Sequence, residues 1–148
     1  MKAINHTEST FAIYLGVSLL ITFIVMLLIS SNYALSSSDL KAKLMFENES
    51  HDFGKVEQGI QLEYSFKFIN EGAVPLFIKK VQPSCGCTGA TTGGKNEYAK
   101  GESGEIKITF NTQGREGRQE KHIMVFTNDP DFPQKDLKFS CDIDTEMK

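Results

Sequence analysis

Leu62, Tyr64, Phe66 and Phe68 alternate with Glu63, Ser65 and Lys67, the period of two that a β-strand with one buried and one wet face requires. The pattern recurs along the C-terminal part of the chain. Leu44 and Phe46 predict a first strand, Leu76 and Ile78 another after Pro75, and Ile106, Ile108 and Phe110 a fourth. His122 to Thr127 gives a fifth, and Leu137, Phe139, Cys141 and Ile143 close the series. Between them lie turn signals: Asn70-Glu-Gly72, Gly93-Gly94, Gly101-Glu-Ser-Gly104, Gly114 to Gly117, and Asn128-Asp-Pro-Asp-Phe-Pro133. No stretch after residue 40 keeps a helical period. The expectation is an all-β fold, an immunoglobulin-like antiparallel β-sandwich. The chain contains no Trp, so the Cys-Trp-Cys framework of antibody domains is missing.

Ahead of this domain, Phe11 to Ile29 carries no charge, and as a helix it would span roughly 28 Å, close to a bilayer's hydrocarbon core. The expected organisation is a short N-terminal segment (1–10), a transmembrane anchor or signal segment (11–29), a Ser-rich linker (30–39) and one β-sandwich domain (40–148). The apolar run is longer than the usual core of a cleaved signal peptide, and Asn32 makes a poor cleavage site before Ala34. That favours a single-pass inner-membrane protein with its C-terminal domain in the periplasm. Secretion after signal cleavage is the alternative.

With 16 Lys+Arg against 19 Asp+Glu and a net charge of −3, the charges are nearly balanced and spread along the chain. They form no basic stripe for nucleic acid. No phosphate-cradling loop opens a helix, no Ser-His-Asp arrangement is legible from spacing, and the acidic residues show no pairing beyond solvated faces. The sequence therefore offers no catalytic residues, no cofactor-binding motif and no evident small-molecule substrate.

Chemistry concentrates in the three cysteines, Cys85, Cys87 and Cys141. A direct Cys85–Cys87 disulfide needs a bend, because Cα atoms two apart in a strand are about 6.6 Å apart with parallel Cβ vectors. Gly86 could supply it, giving a small ring that exchanges easily. Alternatively, Cys141 shares the inward face of the last strand with Phe139 and Ile143. If the strand holding Val81 ran on through Pro83, parity would put Cys85 and Cys87 on the inward side and allow a bridge to Cys141. A third reading is a metal site, with two soft sulfurs offered to copper or zinc and Cys141 or His122 completing it. The bland reading makes all three cysteines small hydrophobes and Gly86 a tight turn.

In the strand His122-Ile-Met-Val-Phe-Thr127 both faces carry apolar residues. Met124 and Phe126 are a candidate partner-binding face, against the plainer view that loops or the chain's own tail cover them. His122 reads as a surface imidazole, His51 as a loop residue in the Asn48–Asp52 turn, and Gly114-Arg-Glu-Gly117 as a hairpin turn.

An ordered set of motifs adds a further expectation. Phe53-Gly-Lys-Val56, Phe66-Lys-Phe-Ile-Asn70, Pro75-Leu76, the Ser84-Cys-Gly-Cys-Thr88 box, Gly101-Glu-Ser-Gly-Glu-Ile106, Phe110-Asn-Thr112 and Thr127-Asn-Asp-Pro130 together resemble the bacterial "domain of unknown function 1573" family, from about residue 45 to 143. That family is similar to the immunoglobulin-like modules of the Hydin and major sperm protein types. The resemblance implies an exported or membrane-anchored envelope protein, often from Bacteroidetes-like bacteria, and supplies no activity. The loop Thr88 to Gly94, Lys100 before Gly101, and Cys141 depart from the family pattern. The leading expectation is a non-enzymatic binding or scaffolding module whose sheet edges or Met124/Phe126 face meet an envelope protein. The contrasting one is a periplasmic thiol protein acting through Cys85 and Cys87.

Overall fold

The computed structural model describes residues 16–27 and 40–147, in two separate units. In the first, residues 16–27 form helix α1, about 18 Å long at the usual rise. Its apolar side chains, Val17, Leu19, Phe23 and Met26 among them, are exposed. The described helix is shorter than the segment expected at 11–29, whose ends lie outside the described residues, as do the segments at 1–10 and 30–39. Among the described residues no helix is long and apolar enough to cross a membrane.

The second unit is a β-sandwich of nine strands: β1 (Leu44–Phe46), β2 (Ser50–Glu57), β3 (Gln61–Asn70), β4 (Leu76–Pro83), β5 (Thr88–Thr91), β6 (Glu97–Tyr98), β7 (Ser103–Asn111), β8 (Gly117–Thr127) and β9 (Gln134–Asp144). One sheet runs β1-β3-β7-β5 and the other β2-β9-β8-β4-β6. The alternating residues face the space between them. Phe66, Phe68, Ile106, Ile108 and Phe110 of the first sheet meet Leu76, Ile123, Val125, Leu137 and Phe139 of the second, all but fully buried. Phe110 and Phe139 touch edge to face across the layers at 5.3 Å, a geometry worth roughly 0.5–1.5 kcal/mol beyond area burial.

The expected sandwich holds with three corrections. It is not wholly antiparallel, because β2 pairs parallel with β9, Ser50 opposite Lys138. His51 is no loop residue, since it belongs to this strand and stacks on Tyr64 at 3.7 Å. Gly114–Gly117 makes no hairpin either, since β7 and β8 lie in different sheets. It is a crossover between layers, with Gly114 and Gly117 both at positive φ, where a side chain would be strained.

Three polar residues of the recurring motifs, Asn70, Thr112 and Asp129, are buried anchors. Asn70, fully buried, accepts from the backbone of Lys43 and Gly72 and donates to the carbonyls of Val74 and Tyr98. Thr112 joins Glu57 and Ile60. Asp129, also buried, accepts from the N–H groups of Leu44, Asp131 and Phe132. Each satisfies main-chain groups that strand ends leave open.

Candidate functional site

β4 ends at Pro83 and β5 starts at Thr88, so the Cys box is the link that carries the chain from one sheet to the other. Its entry is pinned to β8. The Ser84 N–H donates to the His122 carbonyl at 2.9 Å, and the His122 N–H donates to the Ser84 hydroxyl at 3.2 Å. The Thr88 N–H then donates to the Cys85 carbonyl at 3.3 Å, closing a four-residue turn over Gly86. Cys85 and Cys87 are bonded as a disulfide with their Cα atoms 5.3 Å apart, closer than an extended chain permits. The condition for a Cys141 bridge fails because the strand stops at Pro83. Cys141 lies fully buried in β9 as a free thiol, its pKa pushed up chiefly by burial.

The residue that sequence reasoning missed here is Thr88. It is buried at 4% exposure, and its hydroxyl lies 3.4 Å from Cys85 Sγ and 4.0 Å from Cys87 Sγ. Those sulfurs are its only polar partners among the described residues. Its place as the last residue of the box was the available signal. His122, read from the sequence as a surface imidazole, has its backbone against Ser84. Its ring turns to the sheet surface, where Nδ1 meets Asp136 at 2.8 Å and Nε2 meets Glu120 at 3.3 Å. The Asp136 hydrogen bond is the main cause raising its pKa. No group of three or more His, Cys, Asp or Glu among the described residues is placed to hold a metal, and the bonded sulfurs are not the thiolates that copper or zinc would bind.

Beside the box, the sandwich is open. β6 pairs with β4 only at Leu76 and Phe77, and β5 is the edge of its sheet. A cleft of about 290 Å³ lies there, lined by Ile78, Lys79, Lys80, Val81, Ala90, Thr91, Thr92 and Asn96. Antiparallel ladders turn alternate residues toward their partner. The Ser84–His122 pair therefore directs the main chain of Gln82 and Lys80 to β8 and leaves that of Val81 facing outward. Pro83, also outward, lacks an N–H and forfeits no ladder bond. By the same rule, the Asn111-to-Cys87 hydrogen bond leaves the main chain of Ala90 facing outward from β5. No carboxylate lines the cleft, and neither Lys79 nor Lys80 has an ion-pair partner among the described residues.

Met124 and Phe126 lie half-buried on the outer face of the five-stranded sheet. Their register neighbours are polar: Gln82 and Asp136 for Met124, Lys80 and Gln134 for Phe126. Lys80 Nζ lies 6.0 Å from the Phe126 ring centroid.

The fold is similar to that of a protein of unknown function from Porphyromonas gingivalis W83, at a TM-score of 0.63 and 20% identity, covering 75% of this chain and 51% of that one. It is also similar to the Vibrio cholerae VesB protease (TM-score 0.54, 14% identity, 71% and 32% covered) and to the ASH/PapD-like domain 7 of human CEP192 (0.54, 13%, 72% and 89%). The chain spans only about half of the Porphyromonas protein and a third of the protease, and at these identities the likeness is one of fold alone. No curated protein matches the chain in sequence. Over residues 44–143 it matches the family described as protein of unknown function (DUF1573), and the immunoglobulin-like domain built here on the Ser84–Thr88 turn and the Asn70, Thr112 and Asp129 anchors belongs to that family.

Proposed function

We propose that the chain is a non-enzymatic binding module of the bacterial envelope. In this reading residues 11–29 hold it at the inner membrane, and the β-sandwich, displayed in the periplasm, receives an acidic extended segment of another envelope protein in the β4–β5 cleft. The observation that carries the reading is the cleft itself, where two strand edges with outward main-chain groups flank Lys79 and Lys80. Lysines on an edge discourage pairing with a like-charged second copy. An acidic strand gains both backbone hydrogen bonds and charge complementarity there. The disulfide is in keeping with an oxidising compartment, and the apolar exterior of α1 with burial in lipid.

Site-directed photo-crosslinking in cells tests this. A crosslinker at Thr91 should give an adduct of defined mass that is lost at high salt and in the Lys79→Glu/Lys80→Glu variant. Adducts formed only from Met124 or Phe126 would move the binding surface to the sheet face. A fusion reporter after residue 148 that is active only in the cytoplasm would end the envelope reading, and release of the domain in soluble form would make it a secreted protein.

A further inference from the structure

Beyond non-covalent binding, we propose that the Cys85–Cys87 disulfide is an exchange site for dithiols, in which Cys85 is the leaving sulfur and the Thr88 hydroxyl stabilises it as a thiolate. The exchange stands whether or not the cleft is ever occupied.

Three observations carry it. The bond joins residues two apart in sequence, and the stabilisation a disulfide gives the fold by restricting the unfolded chain shrinks with the loop it closes. This bridge does little as a staple. Second, the turn is reachable: Cys85 and Cys87 are partly exposed and Gly86 is exposed, with open space where its side chain would be. An incoming thiolate has room to approach. Third, among the described residues the buried Thr88 hydroxyl has only these sulfurs as polar partners, and it lies nearer to Cys85. A disulfide sulfur is a poor hydrogen-bond acceptor, whereas a thiolate is a charged one, so the hydroxyl gains its full partner only when the bond opens.

The step follows. A thiolate of a partner dithiol attacks Cys87 Sγ, a new S–S bond forms, and the Cys85–Cys87 bond breaks with its electron pair passing to Cys85 Sγ, which accepts the Thr88 hydrogen bond. The partner's second thiolate then attacks its own sulfur in the mixed disulfide, releasing Cys87, which takes a proton from solvent, while Cys85 stays a thiolate on the Thr88 hydroxyl. The partner dithiol is oxidised by two electrons and the Cys box reduced by two.

The full chain in mild detergent, carrying Cys141→Ala, would be equilibrated with graded ratios of reduced and oxidised dithiothreitol, quenched in acid, alkylated and weighed. The native protein should reach a two-electron equilibrium without denaturant. Thr88→Val should shift that equilibrium toward the disulfide on the order of tenfold, as expected for loss of a hydrogen bond to a charged group, while Thr88→Ser, which keeps the hydroxyl, should shift it little. In Cys87→Ser, the pH profile of Cys85 alkylation should give a midpoint below the ordinary thiol value of about 8.5, rising when Thr88→Val is added. Reduction only under denaturant, or a Thr88→Val protein with unchanged circular dichroism, equilibrium and alkylation midpoint, would overturn the proposal. Should Thr88→Val not fold, equal equilibria for Thr88→Ser and Thr88→Ala would overturn it as well.

Discussion

Arg118 on β8 reaches across β9 to Asp52 on β2, its two guanidinium nitrogens 3.4 and 3.2 Å from the carboxylate oxygens, and donates also to the Ser140 hydroxyl between them at 2.8 Å. One side chain thereby ties three adjacent strands, including the edge strand that joins the sheet in parallel. Both partners are more than half exposed, and solvent screening leaves such a pair little weight in global stability.

Arg118→Ala is therefore expected to leave the melting temperature within a few degrees of the parent while loosening β2 locally. Amide hydrogen exchange should accelerate over residues 50–57 and stay unchanged in β3 and β7. A uniform acceleration through both sheets would show that the pair holds the whole domain instead.

Asp129→Ala should be far more damaging. It strands the N–H groups of Leu44, Asp131 and Phe132 in a buried place, a loss of about 2–4 kcal/mol. Urea unfolding would read it as a lower midpoint at unchanged slope, and Asp129→Asn, which keeps one acceptor, should fall between.

These two residues mark what the sequence made legible. The strands β3, β7 and β9 were readable because each has one face in the core and one in water, so that burial imposes alternation. β2 was not. Phe53 and Val56 are three apart because a bulge between Asp52 and Lys55, with Gly54 at φ 69°, breaks the period. β5 and β6 are too short to show any period. Asn70, Thr112 and Asp129 stood inside recognisable motifs, but composition reads such residues as turn formers and says nothing of which distant N–H they will meet. For the cysteines, parity reasoning depended on a strand that continues, and the chain instead turns after Pro83. The lysines of the cleft were visible only as ordinary surface charge until the two edges were seen to face the same gap.

The two described histidines, His51 and His122, should titrate in opposite directions. The Asp136 hydrogen bond raises the pKa of His122, and burial lowers that of His51, with Asp52 partly opposing. The fold binds a proton at His122 more tightly than the unfolded chain does, so that contribution is full below about pH 6.5 and fades as pH rises through the raised value. His51 has the opposite sign: its contribution is full above about pH 6.5 and is lost as pH falls through the lowered value. Nuclear magnetic resonance titration of the imidazoles should place His122 above His51, and Asp136→Asn should bring His122 down while leaving His51 in place. Coincident midpoints would contradict this.

Gly104→Ala tests the packing beside β6. An added Cβ would come within 2.3 Å of the Tyr98 ring and 2.6 Å of Phe68, both buried. The expected cost is about 1–3 kcal/mol, measured as a drop in the thermal midpoint. An unchanged midpoint would mean that Tyr98 and its short strand yield freely.

The parallel ladder between β2 and β9 sets a timetable for the chain. Ser50 must find Lys138, and Val56 must find Ile143, so an early strand waits for the last one to arrive. Such distant pairings are slow because a long stretch of chain must be closed before they bring any reward. A polypeptide emerging amino end first, from a ribosome or through a membrane pore, would carry β2 without its neighbour until nearly all of the domain had followed. The strand that completes the second sheet is thus made early and seated late, and any factor that shields nascent chains would find residues 50–57 open for most of that interval.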